Sequence, residues 1–334
     1  MSPATQPCAL ARSTRSFNGG SDGGTVLVHG AGSFGHHPAS EYGVARGNLS
    51  DPRVRLGFTL TRSSVTRLNG LVTGELVAAG ITAVGLSPLG LYTTCGRQVH
   101  NSGAAAVADC LRAGLVPVLH GDAVLDEQLG CTILSGDTLV RDLAERLRPQ
   151  YVVFLTNVTG VYDRPPEEEG ARLLRRIVVR KDGSWRVAEA DGGGEVDVRM
   201  TADAHDVTGG IALKVEEAAR VARLGVPVII AKAGSEDGAA ACRLGPQVAD
   251  GTATSSAGLA ASAVSEPGSR LGPLASCLRD GAEEEEGEEQ KVAGECAAAS
   301  QGPQSARTWR GTLVVLEDDE CEDTGGTAQV PRVL

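Results

Sequence analysis

The stretch Thr138-Leu-Val-Arg-Asp-Leu-Ala-Glu-Arg-Leu-Arg148, then Pro149-Gln150, then Tyr151-Val152-Val153-Phe154-Leu155 decides the fold class. Its first part spaces apolar residues for one face of a helix, Pro149 stops it, and the last five residues form a continuously apolar run. The same succession occurs three more times. Val65 to Ala79 leads through Gly80 into Ile81-Thr82-Ala83-Val84. Ala104 to Ala113 leads through Gly114 into Val116-Pro117-Val118-Leu119, and Ile211 to Leu224 leads through Gly225 into Val226-Pro227-Val228-Ile229-Ile230. Helices alternating with short strands that are apolar on both faces predict an α/β fold: a three-layer sandwich around a largely parallel central sheet. Ligands of such sheets sit beyond the carboxyl ends of the strands, so the residues following each strand are the ones to read for chemistry.

After Thr25-Val26-Leu27-Val28 comes His29-Gly30-Ala31-Gly32-Ser33-Phe34-Gly35-His36-His37. Three glycines and an alanine in six positions let backbone amides approach an anion closely. The spacing Gly30-x-Gly32-x-x-Gly35 also fits a dinucleotide fingerprint, which requires an acidic residue at the next strand end. Asp51 has the distance but lies in the turn Asn48-Leu49-Ser50-Asp51-Pro52. His36, directly after the glycines, suits a transferring phosphate better than a nicotinamide; the competing reading is a surface or capping histidine. Further along stand His120-Gly121-Asp122 after a strand and Ser135-Gly136-Asp137 at a helix start, where Asp137 as N-cap is the plain structural alternative. A polar turn, Asn157-Val158-Thr159-Gly160-Val161-Tyr162-Asp163, and Asp206-Val207-Thr208-Gly209-Gly210-Ile211-Ala212-Leu213-Lys214 complete the set. Lysine occurs only at 181, 214, 232 and 291, so Lys214 and Lys232 near predicted element ends read as phosphate-binding point charges.

Composition narrows the function classes. The 31 Lys and Arg against 42 Asp and Glu give a net charge of −11, and 3% aromatic residues leave no stacking platform, so no nucleic-acid partner is expected. No apolar run approaches the roughly 18 residues of a membrane span, and no membrane association is expected. Eight cysteines without a Cys-x-x-Cys pair suit free thiols in a reducing compartment, so a cytoplasmic location is expected, with the acid-free first twenty residues a faint transit-segment alternative. The organisation predicted is a disordered segment at 1–24, an α/β domain at 25–234, and a low-complexity, disordered insertion at 235–307. One last strand at 308–317 and an acidic tail at 318–334 follow.

Taken together, His29 to His36, Val118 to Asp126, Gly130 to Asp137, Tyr151 to Asn157, Gly160 to Pro166 and Ala204 to Gly210 closely resemble the isopentenyl phosphate kinases of eukaryotic type, in the amino acid kinase superfamily. The resemblance covers about residues 25 to 234, and Trp309 to Val314 resembles the family's last strand. It implies transfer of the γ-phosphoryl group of ATP, accompanied by Mg²⁺, to isopentenyl phosphate in isoprenoid synthesis, by a homodimer. It places His36, Lys214 and Asp137 in the catalytic role, and Gly30, Gly35 and Gly136 at the substrate phosphate. Ala31, Gly32, Asn157, Gly160, Tyr162, Asp163, Gly210, Lys214 and Lys232 fall where the family binds ATP, with no protein residue assigned to a metal. Asn157 stands where the family usually has Asp. The family's first strand ends in Lys-x-Gly-Gly; no lysine precedes Lys181 here, and this reading takes the first strand to be missing. A kinase of another small phosphate or carboxylate, or a non-catalytic nucleotide-binding remnant, are the alternative functions.

Overall fold

The computed structural model describes residues 8–13, 24–194, 209–249 and 308–317. In chain order the elements are β1 (Cys8–Ser13), β2 (Thr25–His29), α1 (Gly32–Glu41), α2 (Pro52–Ala78), β3 (Ala83–Gly85), β4 (Thr93–Cys95), β5 (Gln98–Asn101) and α3 (Ala104–Arg112). Then come β6 (Val116–His120), β7 (Asp122–Asp126), β8 (Gly130–Leu134), α4 (Gly136–Leu147), β9 (Pro149–Thr156), β10 (Leu174–Val179) and β11 (Trp185–Ala190). The last are α5 (Gly209–Ala222), β12 (Val228–Lys232), α6 (Glu236–Leu244) and β13 (Thr312–Leu316).

Nine strands form the main sheet in the order β11-β10-β13-β12-β9-β1-β2-β6-β3. Alternate residues of its strands enter different cores. Val152 and Phe154 of β9 with Val228 and Ile230 of β12 pack among Leu139, Leu143, Val215 and Ala218 of α4 and α5. Tyr151, Val153, Ile229 and Ala231 pack on the opposite face with Ala241 of α6, Val248 and Trp309. This is the three-layer α/β arrangement that the apolar runs predict. Burying nearly every side chain of a strand is possible only where both faces are covered.

Three expectations are corrected. The sheet is mixed rather than largely parallel. Of its eight strand pairs, β2–β6, β3–β6, β9–β12 and β10–β13 run parallel, while β1–β2, β1–β9, β10–β11 and β12–β13 run antiparallel. A strand also occupies the central slot that was read as missing, within the segment 1–24 expected to be disordered. β1 pairs with both β2 and β9, Cys8 opposite His29 and Ala9 opposite Phe154. Its sequence, Cys-Ala-Leu-Ala-Arg-Ser, carries one large apolar residue and therefore gives no strand signal. Finally, the segment from 235 does not begin as an unstructured insertion. Ser235 caps α6, its Oγ accepting from the Gly238 amide at 3.0 Å. The Trp309 indole N–H then donates to the Asp237 carbonyl at 3.0 Å, joining α6 to the approach of β13. The remainder of the predicted insertion, 250–307, and the acidic tail lie outside the described residues.

A second sheet, in the order β5-β4-β7-β8, extends from the first. β6 passes through Gly121 directly into β7, and β8 passes through Ser135 into α4, so the two sheets meet at Gly121 and Gly136. The Asp126 carboxylate organises the outer end of this sheet, accepting from the Thr94 hydroxyl at 2.8 Å and from the amides of Arg97 and Leu129 at 2.8 Å each.

Candidate active site

The parallel strands β2 and β6 end side by side, His29 in register with His120. Helix α1 starts three residues after β2 ends, with Gly32 at φ +50°, a left-handed conformation that glycine adopts without strain. Helix α4 starts on the other side of Gly121, capped by Ser135, whose Oγ accepts from the Thr138 amide at 3.1 Å. The cap is thus Ser135, and Asp137 lies in the first turn, free of that structural duty. A Cβ placed on Gly121 would stand 3.5 Å from the Gly136 nitrogen and 3.6 Å from the Ala31 nitrogen. Two helix N-termini therefore converge on a glycine, and their amides border a space that any side chain at 121 would fill. Such a place suits an anion, because both the unpaired N–H groups and the helix dipoles favour negative charge there.

Charged side chains border this cradle. Lys214, in the second turn of α5, is half-buried; burial lowers its pKa and the nearby Asp137 carboxylate opposes that shift. Asp137 and Lys214, far apart in sequence, are thus electrostatic neighbours. Gly210 lies in the first turn of the same helix, beginning at Gly209. His36 is exposed on α1 and makes no hydrogen bond or ion pair within the described residues.

The second cluster lies where β9 and β12 end, Thr156 in register with Lys232. Lys232 is exposed. Exposed Asn157 accepts from the Thr156 hydroxyl at 3.1 Å. Beyond it the chain turns inward. Asp163 is buried; burial raises its pKa, but the Arg172 amide at 2.8 Å and the Arg164 guanidinium at 3.3 Å outweigh that and hold it below the ordinary carboxylate range. Its carboxylate is a clamp between the two arms of a loop. Tyr162, half-buried, bridges to Leu173 in the same loop.

Two glycines of the motifs also serve packing. The Gly35 amide donates to Ala31 O at 3.3 Å, and a Cβ there would stand 3.1 Å from Val65 Cγ1, so its missing side chain lets α1 approach α2. Gly160 is buried against Thr312 and Leu173. Conversely, sequence reading quotes His29, His120 and Gly121 within its motifs without giving them a role, and it does not single out Asn69. The signal available was the repeated His-Gly at the ends of two strands, His29-Gly30 and His120-Gly121.

Comparison with known proteins identifies the family. The sequence profile of the amino acid kinase family matches residues 8–232, and so includes β1. An isopentenyl phosphate kinase of Arabidopsis thaliana is 51% identical over 214 residues, which are 62% of this chain and 64% of that protein, so the chain spans somewhat less than two thirds of that relative. One from Methanothermobacter thermautotrophicus is 34% identical over 230 residues, covering 67% of this chain and 82% of its own. A crystal structure described as isopentenyl phosphate kinase superposes with a TM-score of 0.50 at 32% identity, over 63% of this chain and 76% of that one. The profile match takes in β1 and both loop clusters and leaves out β13, and with two thirds of the chain matched the chain belongs to the amino acid kinase family, among its isopentenyl phosphate kinases.

Proposed function

We propose that this protein transfers the γ-phosphoryl group of ATP to isopentenyl phosphate, yielding isopentenyl diphosphate and ADP. The observation that carries the reading is the side-chain-free space at Gly121, bordered by the amides of Ala31 and Gly136. A phosphate monoester is already anionic near neutral pH. One of its oxygens attacks the γ-phosphorus while the bond to the β–γ bridging oxygen breaks, so no general base is needed and the work is positioning and charge neutralisation. The cradle amides hold the acceptor phosphate. His36, beside the loop and unengaged, donates to the transferring phosphoryl group. Lys214, turned toward Asp137 near the cradle, neutralises charge on the ATP phosphates, and Lys232 with the Asn157–Asp163 loop borders the nucleotide.

Mg²⁺ enters on the ATP phosphates, an arrangement that needs at most one or two protein carboxylates. Asp137, beside the cradle, would be the carboxylate to hold it, where the ion would neutralise phosphate charge; no group of three His, Cys, Asp or Glu side chains converges among the described residues. The protein acts in the cytoplasm as a homodimer; in support of the dimer, α2 leaves Leu56, Leu60, Leu71 and Val77 exposed. The functional test is ADP release with isopentenyl phosphate as acceptor, compared with small carboxylates. His36→Ala should lower turnover about a hundredfold with little change in ATP KM, as for loss of a donor acting in the transition state. Its thermal midpoint should stay unchanged, because His36 is exposed and unpartnered. Equal turnover in the two proteins removes His36 from the chemistry, and preference for a carboxylate overturns the substrate.

A further inference from the structure

Gly30 and Gly121 raise a problem for the cradle. Glycine flanks permit the peptide plane to flip, and a flip of the Gly30–Ala31 peptide would turn a carbonyl, in place of the Ala31 amide, toward the anion. Something must hold that peptide. His29 and His120 lie beneath it, both buried, their rings stacked at 5.7 Å between centroids and 24° between planes. His29 Nδ1 is 2.9 Å from the Gly30 carbonyl oxygen, and His120 Nδ1 is 3.1 Å from that of Gly121. The Gly121 amide in turn donates to His29 O at 3.1 Å, interlocking the two His-Gly units.

The proton positions follow from the partners. Asn69 Nδ2, on α2, contacts both Val118 O at 3.2 Å and His29 Nε2 at 3.1 Å. A carbonyl accepts only, so this end of the Asn69 amide is the donor end, and its second hydrogen goes to His29 Nε2. Nε2 is therefore unprotonated, and Nδ1 carries the proton that it gives to Gly30 O. Because a trans peptide points its N–H opposite its C=O, holding Gly30 O under the ring fixes the direction of the Ala31 amide. Burial favours neutral rings: it lowers the His29 pKa, and it takes His120 down to about 4.

We infer that His29 and His120 are positioning residues of the phosphate cradle: as neutral Nδ1–H imidazoles they hold the carbonyls of Gly30 and Gly121, with Asn69 fixing the His29 tautomer, so that His29 aims the Ala31 amide at the anion and His120 fixes the Gly121 backbone between the two helix starts. Neither ring touches substrate. The inference deepens the kinase reading and rests on it for its kinetic arm only. Gly85 extends the chain of support, since a Cβ there would run into Asn69 Oδ1.

The test uses the full chain with ¹⁵N-labelled histidine. Two-bond ¹H–¹⁵N correlation at neutral pH should show two of the six histidines as neutral Nδ1–H tautomers, assigned to 29 and 120 by their loss in single variants. Finding the Nε2–H form at both positions overturns the inference whatever the activity. The kinetic arm compares His29→Asn, whose amide replaces the Nδ1 donor, with His29→Gln, whose amide falls near Nε2. His29→Gln should lose about a hundredfold in turnover, the usual cost of an ångström-scale misplacement at a reacting centre. His29→Asn should stay within tenfold of wild type. Equal losses in both, tracking thermal stability, would make the histidine structural only and overturn the inference. Should His29→Gln fail to fold, the isosteric Asn69→Asp replaces it: a carboxylate opposite Nε2 demands a proton there, so the Nδ1–H-only signal should vanish. Its persistence counts against the inference. Titration with inorganic phosphate, which should shift the Ala31 and Gly136 amide resonances in wild type but not in His29→Gln, reads the cradle without turnover. Wild-type protein that shows the tautomers and the phosphate shifts but no turnover with isopentenyl phosphate refutes the kinase reading alone.

Discussion

The two ends of the site use glycine for opposite purposes. Where β2 and β6 finish, Gly121 leaves open a space walled by backbone amides. Where β9 and β12 finish, Gly160 is buried, and a Cβ on it would stand 2.6 Å from Thr312 Oγ1 and 2.9 Å from Leu173 Cδ1. The first glycine leaves room beside two helix starts; the second lets protein pack on protein. The acids differ in the same way: Asp137 faces the Lys214 ammonium electrostatically, whereas Asp163 spends its carboxylate on its own loop. On the proposed function, the phosphate end is thus built from donors held in place beforehand, and the nucleotide end from a clamped loop. Residue type in a motif does not tell these apart; the neighbour across the sheet does.

The sharpest way to break this contrast is Gly121→Ala. Its Cβ would make ordinary contacts of 3.5 and 3.6 Å, and Gly121 is not among the residues with positive φ, so the fold should tolerate it. The methyl would nonetheless occupy the anion's place. Turnover efficiency with the phosphate acceptor should fall about a thousandfold, ~4 kcal/mol of transition-state stabilisation. The thermal midpoint should change little. Intact activity would show that the acceptor phosphate lies elsewhere.

Much of the architecture was legible in the sequence because burial on both faces leaves continuous apolar runs, as in Val228-Ile229-Ile230. What escaped has a physical cause in each case. β1 is small and weakly apolar, and its place in the sheet comes from partners at residues 25–29 and 149–154 rather than from its own composition. The strands Thr93–Cys95 and Gln98–Asn101 are short and half-solvated, and the Asp126 carboxylate rather than an apolar pattern holds their turn. In the candidate site, the glycine loop, His36, Asp137 and Lys214 read as phosphate-handling types from sequence, and the structure sets Asp137 near Lys214 and leaves His36 exposed on α1. Asn69 was not legible, being an ordinary polar residue in a helix until the fold brings it to His29 across 40 positions. Gly35 and Asp163, read from sequence as ligand-binding, also have packing and loop-clamping duties, because packing and binding select the same residues.

Acid sharpens the comparison at the phosphate end. Folding takes His120 from an ordinary value of 6.5 to about 4, burial being the main cause. Above pH 6.5 both states are neutral at this residue and it costs nothing. As pH falls from 6.5 toward 4 the unfolded chain takes up a proton that the folded chain refuses, so stability drops, by up to about 3 kcal/mol. Asp122, raised to about 6 mainly by burial against the opposing Arg62 guanidinium, has the opposite slope: the fold keeps its proton up to about pH 6. The two partly cancel in wild type. Chemical denaturation of His120→Asn between pH 4 and 7 should therefore lose the His120 part of the acid-side penalty; His29, also lowered by burial, keeps its own part, so the curve should rise less with pH than that of wild type. A curve parallel to wild type would mean that His120 is not held neutral beneath the cradle.

At the nucleotide end the smaller and decisive test is Gly160→Ala. Thr312 Oγ1 accepts from the Val161 amide at 2.8 Å and donates to Leu174 O at 2.6 Å, tying the loop to β13 and to the start of β10. The added methyl meets that oxygen at 2.6 Å and the Thr312 nitrogen at 3.1 Å, closer than packed atoms tolerate, and neither is the free end of a flexible side chain. The loop or the strand must shift, at the cost usual for an overpacked core, about 2 kcal/mol. In a domain of this size that is a fall of roughly 4–8 °C in thermal midpoint. Well below the transition, ATP KM should stay within about threefold, because the added methyl points at Thr312 and Leu173. If instead ATP binding collapses while the midpoint holds, Gly160 contacts ATP as the family resemblance implies, and the two ends of the site use glycine alike.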